Sequence, residues 1–174
     1  MGSLITIQNP KSLPEIPALA GPIDIRNGRM QDIPALLALI NEYAAQGIML
    51  PRTEFEMAEN IRDFVVAYSG PHLVACGALH FYSPTVAEVR SLAVHPSCKK
   101  HNLGRDIVLA LEKDALHHQL QSLFAFTYVE GFFNKMGYKV VDRGELPLKA
   151  WKDCLRCPKF QACDEIAMVK VLPS

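Results

Sequence analysis

The chain has no excess charge of either sign: 18 lysines and arginines balance 18 aspartates and glutamates over 174 residues. A neutral chain projects no overall field, so neither nucleic acid nor an anionic membrane is expected as a partner. Long hydrophobic runs are missing too. One of the longest, Leu123 to Val129, is interrupted by Thr127 and falls far short of the ~20 apolar residues that a spanning helix needs. The first residues lack the basic, apolar and small-residue succession of a secretory signal. Cysteine comes to five, an odd number that argues against a fully paired secreted scaffold. These absences lead us to expect a soluble, cytoplasmic protein. What is present, 49% hydrophobic and 21% charged residues, suits a single globular domain.

Residues 1–22 carry Pro10, Pro14, Pro17 and Pro22, each of which removes an amide donor and restrains its predecessor. They read as a flexible N-terminal arm ahead of a domain at 23–174. Ile23 to Arg26 alternates like a half-buried strand. Asp32 and Pro34 open a helix whose Ile33, Leu36, Leu37, Ile40 and Ala44 share a face, and Gly47 closes it. Thr53 and Glu56 form a capping box for a second helix reaching about Asp63. Strands follow at 64–68, 73–82 and 87–94, joined by turns at Ser69-Gly70-Pro71 and Ser83-Pro84, which makes an antiparallel meander. Gly104 opens the longest helix, with Ile107, Val108, Leu111 and Ala115 on its buried face. Leu123 to Val129 reads as a central strand. A short helix around Phe132 to Met136 stops at Gly137, and strands at 138–141 and 166–172 complete an α/β (α+β) layer fold.

The stretch richest in chemistry runs from Ala87 through Pro96 into a basic loop and then Gly104. A helix N-terminus presents unpaired amides and a partial positive charge, which favour a phosphate. Lys99, Lys100 and Arg105 add full charges. On these residues alone, a phosphate site and a solvated basic turn both remain open.

The chain resembles the GNAT superfamily of N-acetyltransferases from about Ile23 to Leu172, and within it the acetyltransferase domain of N-acetylglutamate synthases. The resemblance is carried by residues 46–52 (QGIMLPR), 76–80 (CGALH), 88–96 (EVRSLAVHP), 123–127 (LFAFT), 132–138 (FFNKMGY) and 145–147 (ELP). It implies a mixed, largely antiparallel central sheet flanked by helices, with acetyl-CoA as co-substrate. Leu92, Ala93 and Val94 would pair their backbone with the pantetheine arm, and Lys99, Lys100, Asn102, Leu103, Gly104 and Arg105 would wrap the pyrophosphate. The family's loop pattern begins with Arg or Gln and keeps two small residues; here Lys99 stands first and Asn102 replaces the first glycine. Asparagine tolerates positive φ better than most residues, and lysine is a point charge without arginine's fork.

The resemblance further implies Glu88 as the base that relieves the amine of a proton, with a solvated edge charge as its ordinary alternative. It implies Thr127 as a hydroxyl that holds the amine or a water, against a plain strand threonine. Phe132-Phe133 occupies the segment where many relatives place a tyrosine acid, and Tyr128 is the nearest phenol. Arg52, Arg90, Lys149 and Arg156 would hold the carboxylates of an amino-dicarboxylate, expected to be L-glutamate. That reaction opens arginine biosynthesis, and a homodimer is among the assemblies left open. Two other readings stand beside it: an acetyltransferase for another amine, and a non-catalytic CoA-binding or metal-sensing module. The latter draws on Cys154, Cys157 and Cys163, whose spacing suits part of a zinc site, an iron–sulfur cluster lacking one thiolate, a redox disulfide or three reduced thiols.

Overall fold

The computed structural model describes residues 13–17, 19, 21–146 and 164–174. A seven-stranded sheet runs in the order β1-β2-β3-β4-β5-β7-β6. Its strands are β1 Asp24–Asn27, β2 Phe64–Ser69, β3 His72–Phe81, β4 Val86–Val94, β5 Ser122–Thr127, β6 Lys139–Val140 and β7 Ile166–Val171. Only β4 and β5 pair in parallel; the other neighbours are antiparallel. The single parallel junction follows from the connection, because α3, Leu103–His117, carries the chain back across the sheet between those strands.

Helices cover both faces. α3 lays Ile107, Val108, Leu111 and Ala115, all fully buried, on Val74, Leu79, Ala87, Val89, Leu123 and Ala125. Burial of each of the larger aliphatic side chains contributes about 1.5–3 kcal/mol. On the opposite face α1, Ile33–Ala45, and α2, Glu54–Asn60, place Leu36, Leu39, Ile40, Tyr43 and Met57 against Phe64, Val66, Cys76, Ala78 and Ala93. A smaller cluster of Phe124, Leu146 and Ala167 continues this second face toward β7. α4, Glu130–Lys135, sits between β5 and β6.

Local chemistry explains the element boundaries. The capping box before α2 is formed in both directions: Glu56 N–H donates to Thr53 Oγ1 at 3.2 Å, and Thr53 N–H donates to Glu56 Oε2 at 3.0 Å. Before α1 the buried Asp32 carboxylate accepts from the Arg26 guanidinium at 2.7 and 2.9 Å, from Arg29 N–H at 2.7 Å and from Tyr68 O–H at 2.9 Å. The Arg26 hydrogen bonds hold that carboxyl down to about 2, against the cost of desolvation. β5 ends at Thr127, two residues sooner than its apolar run suggests, because Thr127 Oγ1 accepts from Val129 N–H at 2.9 Å and turns the chain toward α4. Part of the segment expected as an arm is docked: Leu13 packs on the α1 face, and Ile16 and Leu19 pack on the α3 face. Apolar residues placed between the prolines give that segment its foothold.

Among the described residues no helix is long and apolar enough to cross a membrane.

Candidate functional site

The site begins with an interruption of the β3–β4 ladder. Ala78 pairs with Arg90 and Cys76 pairs with Ala93, so Gly77 on β3 faces two residues, Ser91 and Leu92, on β4. Ser91 takes a left-handed φ of 52° to accommodate the extra residue. The bulge reverses the alternation of β4. Ahead of it Ala87 and Val89 face the α3 core; beyond it Leu92 and Val94 do so, and Ala93 turns to the α1 face. Gly77 is required there, because a Cβ would lie 2.7 Å from Ile107 Cγ2 and 3.2 Å from Leu111 Cδ1.

The bulge also bends β4 away from β5. The two strands pair only at Val86–Ser122, Ala87–Leu123 and Glu88–Phe124, although β4 continues to Val94 and β5 to Thr127. A V-shaped split therefore opens in the sheet just beyond Glu88. The half-buried or buried side chains of Leu92, Ala93 and Val94 pack into the two cores, so what this strand offers to a ligand in the split is its backbone. Tyr43 O–H donates to the Val94 carbonyl at 2.5 Å and fixes the strand's end to α1.

The basic loop closes the wide end of the split. Burial lowers the His95 pKa, an effect opposed by a hydrogen bond to the Pro14 backbone. The neutral ring accepts Ser97 N–H at Nδ1, 3.2 Å, and so tethers the docked N-terminal segment to the loop. Asn102 adopts φ 56°, ψ 16°, the left-handed conformation its side chain suits, and it makes no side-chain cap. The first amides of α3 are thus left to other acceptors. Leu103 is buried, whereas Lys100 and Arg105 reach the surface. Lys99 Nζ lies 5.5 Å from the Tyr43 ring centroid, a cation–π contact between the loop and α1. The missing side chain of Gly104 would point between Val94 and Phe132, 3.5 and 3.6 Å away. Phe133 is buried and Tyr128 is exposed.

On the α1–α2 side of the split, Arg52 and Arg90 line one shallow recess together with Glu56, Met57, Asn60, Phe64 and Ser91. Arg52 is 38 residues away from Arg90 in the chain, and a two-point clamp places it there: Arg52 N–H donates to Asn41 Oδ1 at 2.9 Å, and Asn41 Nδ2 donates to the Arg52 carbonyl at 3.1 Å. Glu88 lies two residues before Arg90 on the same strand face and is 8% exposed. Tyr82 O–H donates to its Oε2 at 2.8 Å. Thr127 is not brought to this carboxylate: alternation puts it with Leu123 and Ala125 on the α3 face, whereas Glu88 shares the opposite face with Phe124.

Sequence reasoning missed Asn41, Tyr43, His80 and Tyr82. The hairpin turn at Ser83-Pro84 carried a usable signal, since pairing outward from it sets His80 against Glu88. Asn41 and Tyr43 act across long chain separations and left no local sign. Among the described residues no group of three or more His, Cys, Asp or Glu side chains is placed to hold a metal ion. Cys154, Cys157 and Cys163, with Lys149 and Arg156, lie outside the described residues. Cys76 and Cys98 are buried free thiols; burial pushes Cys76 to about 12 and Cys98 upward.

The profile of the acetyltransferase (GNAT) family matches residues 34–138, more than half of the chain. An uncharacterised N-acetyltransferase of Chlorobaculum tepidum is 41% identical over 148 residues, covering 85% of this chain and 96% of its own. The amino-acid acetyltransferase of Mycobacterium tuberculosis is 33% identical over 154 residues, covering 86% and 87%. Among solved structures, the N-acetylglutamate synthase of Neisseria gonorrhoeae, complexed with coenzyme A and N-acetyl-glutamate, superposes with a TM-score of 0.81 at 24% identity. That match covers 89% of this chain and 36% of the other. Rv2747 of Mycobacterium tuberculosis, in complex with CoA and NLQ, gives 0.75 at 26% identity, covering 86% and 99%. Split sheet, basic helix start and these matches define an acyltransferase. The chain belongs to the acetyltransferase (GNAT) family.

Proposed function

We propose that this protein transfers the acetyl group of acetyl-CoA to the α-amine of L-glutamate, the step that opens arginine biosynthesis, in the cytoplasm. The observation that carries the acceptor is the convergence of Arg52 and Arg90 on one recess, on the strand face that also bears Glu88. Two guanidinium groups in a part-desolvated recess, with the Glu56 carboxylate beside them, suit an anionic amino acid, whose carboxylates a guanidinium can bind by a fork. The 33% identical relative named an amino-acid acetyltransferase supports an amino acid as acceptor.

The donor's phosphates meet the amides that begin α3, with Lys99, Lys100 and Arg105 around them. Its pantetheine arm lies along the open edge of β4 from Leu92 to Val94. This threads the thioester down the split toward Glu88, where the strands rejoin. Glu88 takes a proton from the amine as nitrogen attacks the thioester carbonyl. Backbone amides of the open edge receive the developing oxyanion. The C–S bond then breaks, and CoA leaves without a tyrosine acid in the Phe132-Phe133 segment, since a thiol of pKa ~8.5 is a tolerable leaving group.

A panel of amino acids assayed with acetyl-CoA for free-thiol release tests the reading. Glutamate is expected as the preferred acceptor. Preference for glutamine or a basic amine would overturn the acceptor and leave the acetyltransferase intact.

A further inference from the structure

Resting on that reading, the surroundings of Glu88 raise a question of proton balance. An acceptor arrives as an ammonium. It loses two protons in becoming an amide, the thiolate recovers one, and one net proton must leave the site in each turnover. Glu88 is 8% exposed and already accepts a hydrogen bond from Tyr82, so it is poorly placed to discharge that proton to bulk water unaided.

Directly across the β3–β4 ladder, His80 is the register partner of Glu88. Such partners share a sheet face with Cβ atoms ~4.5–5.5 Å apart. His80 Nδ1 is bound to Asp63 Oδ2 at 2.7 Å. Asp63 ends the turn between α2 and β2, and it fixes the ring so that Nε2 is the nitrogen left to exchange protons. The His80 and Asp63 side chains are 29% and 19% exposed, which puts them between the buried carboxylate and water. The Tyr82 ring meets the His80 ring edge-on, with centroids 5.2 Å apart, while its hydroxyl holds Glu88. Among the described residues, Asp63, Tyr82 and Glu88 are the groups that these contacts and the strand register set against the imidazole.

We propose that Asp63 and His80 form a proton exit for Glu88: His80 takes the proton from the Glu88 carboxyl, directly or across one water, and releases it to solvent. Asp63 stabilises the imidazolium in between. His80 does not touch the reacting atoms and acts through Glu88.

Buffer rescue separates this role from a structural one. In dilute non-exchanging buffer, His80→Ala is expected to lower kcat at least ~10-fold, within the range of a positioned proton-transfer group, with KM for acetyl-CoA within about twofold. Added imidazole should restore kcat several-fold and saturably, and leave wild type unchanged. Asp63→Asn, which retains the imidazole, should show a smaller loss and a weaker rescue. Circular dichroism establishes that both variants fold; should His80→Ala unfold, His80→Gln takes its place. Unchanged kcat, or a loss that imidazole does not repair in a folded variant, overturns the relay while wild-type turnover keeps the parent reading. A wild-type protein that acetylates no amine overturns both.

Discussion

Glu88 illustrates how much one side chain's meaning depends on its neighbours. Charged residues seldom lie this deep unless they are paired, and this one is held by Tyr82 on a face shared with Arg90. Glu88→Gln keeps the shape and removes the proton affinity. It should lower acetyl transfer by roughly 10²-fold or more, the size of a general-base contribution, without altering CoA affinity in calorimetry. A variant within about threefold of wild type would assign proton removal elsewhere. Asn102 is the opposite case, a residue whose conformation was legible from its type alone. Few non-glycine residues accept positive φ, asparagine is one, and it adopts φ 56° where the loop turns into α3. Ser91 gave no such sign. Its left-handed backbone is imposed by packing, as β4 must fit an extra residue opposite Gly77 while both strands stay in their cores.

Elements carry the site by holding strands apart and bringing helices close. At Gly77 the α3 side chains approach the β3 backbone so nearly that a methyl group would lie 2.7 Å from Ile107. Gly77→Ala should overpack a site with no free space, at about 1–3 kcal/mol. A thermal melt should show Tm lower by roughly 2–12 °C for a chain of this size, and CoA binding should weaken as α3 is displaced. An unchanged Tm would mean that α3 is looser than its packing indicates. Asp32 does the corresponding work for α1, joining it to β1 and β2 through Arg26 and Tyr68. Its carboxyl is held at about 2 against an ordinary 3.8. A depressed carboxyl stabilises the fold above the unfolded value and loses that contribution as pH falls through the folded one. About 2 kcal/mol should therefore disappear between roughly pH 4 and pH 2. Denaturant titrations should show this acid loss in wild type and a smaller one in Asp32→Asn, which starts less stable at pH 7. Parallel curves would assign the acid loss to other carboxylates.

At the scale of the whole molecule, order and type of the elements were legible because their signals are local. The Thr53–Glu56 box, the glycine stops and the alternation in the meander each act within a few residues. The split in the sheet was not legible from alternation, because a bulge breaks the period-two rule on which that alternation rests. Nor were the partners of the site residues, since Tyr82 reaches Glu88 only through a formed hairpin and Asn41 reaches Arg52 only once α1 has packed. Nor was the packing of Leu13, Ile16 and Leu19 on the two cores legible from the proline content of the N-terminal segment. On the proposed reading the molecule has two separable approaches: donor along the open edge of β4 from the α3 start, acceptor from the α1–α2 recess.

That separation makes the acceptor claim testable by one comparison: kcat/KM for glutamate against glutamine, in wild type and in Arg52→Ala, at saturating acetyl-CoA. A recess built for two carboxylates should strongly favour glutamate, because glutamine offers only one carboxylate to the two guanidinium groups. Arg52→Ala should raise KM for glutamate at least ~10-fold, about 1.4 kcal/mol, narrow the preference over glutamine and leave KM for acetyl-CoA nearly unchanged. Equal use of the two amino acids by wild type, or a preference that survives Arg52→Ala intact, would contradict the assignment of this recess to an amino-dicarboxylate.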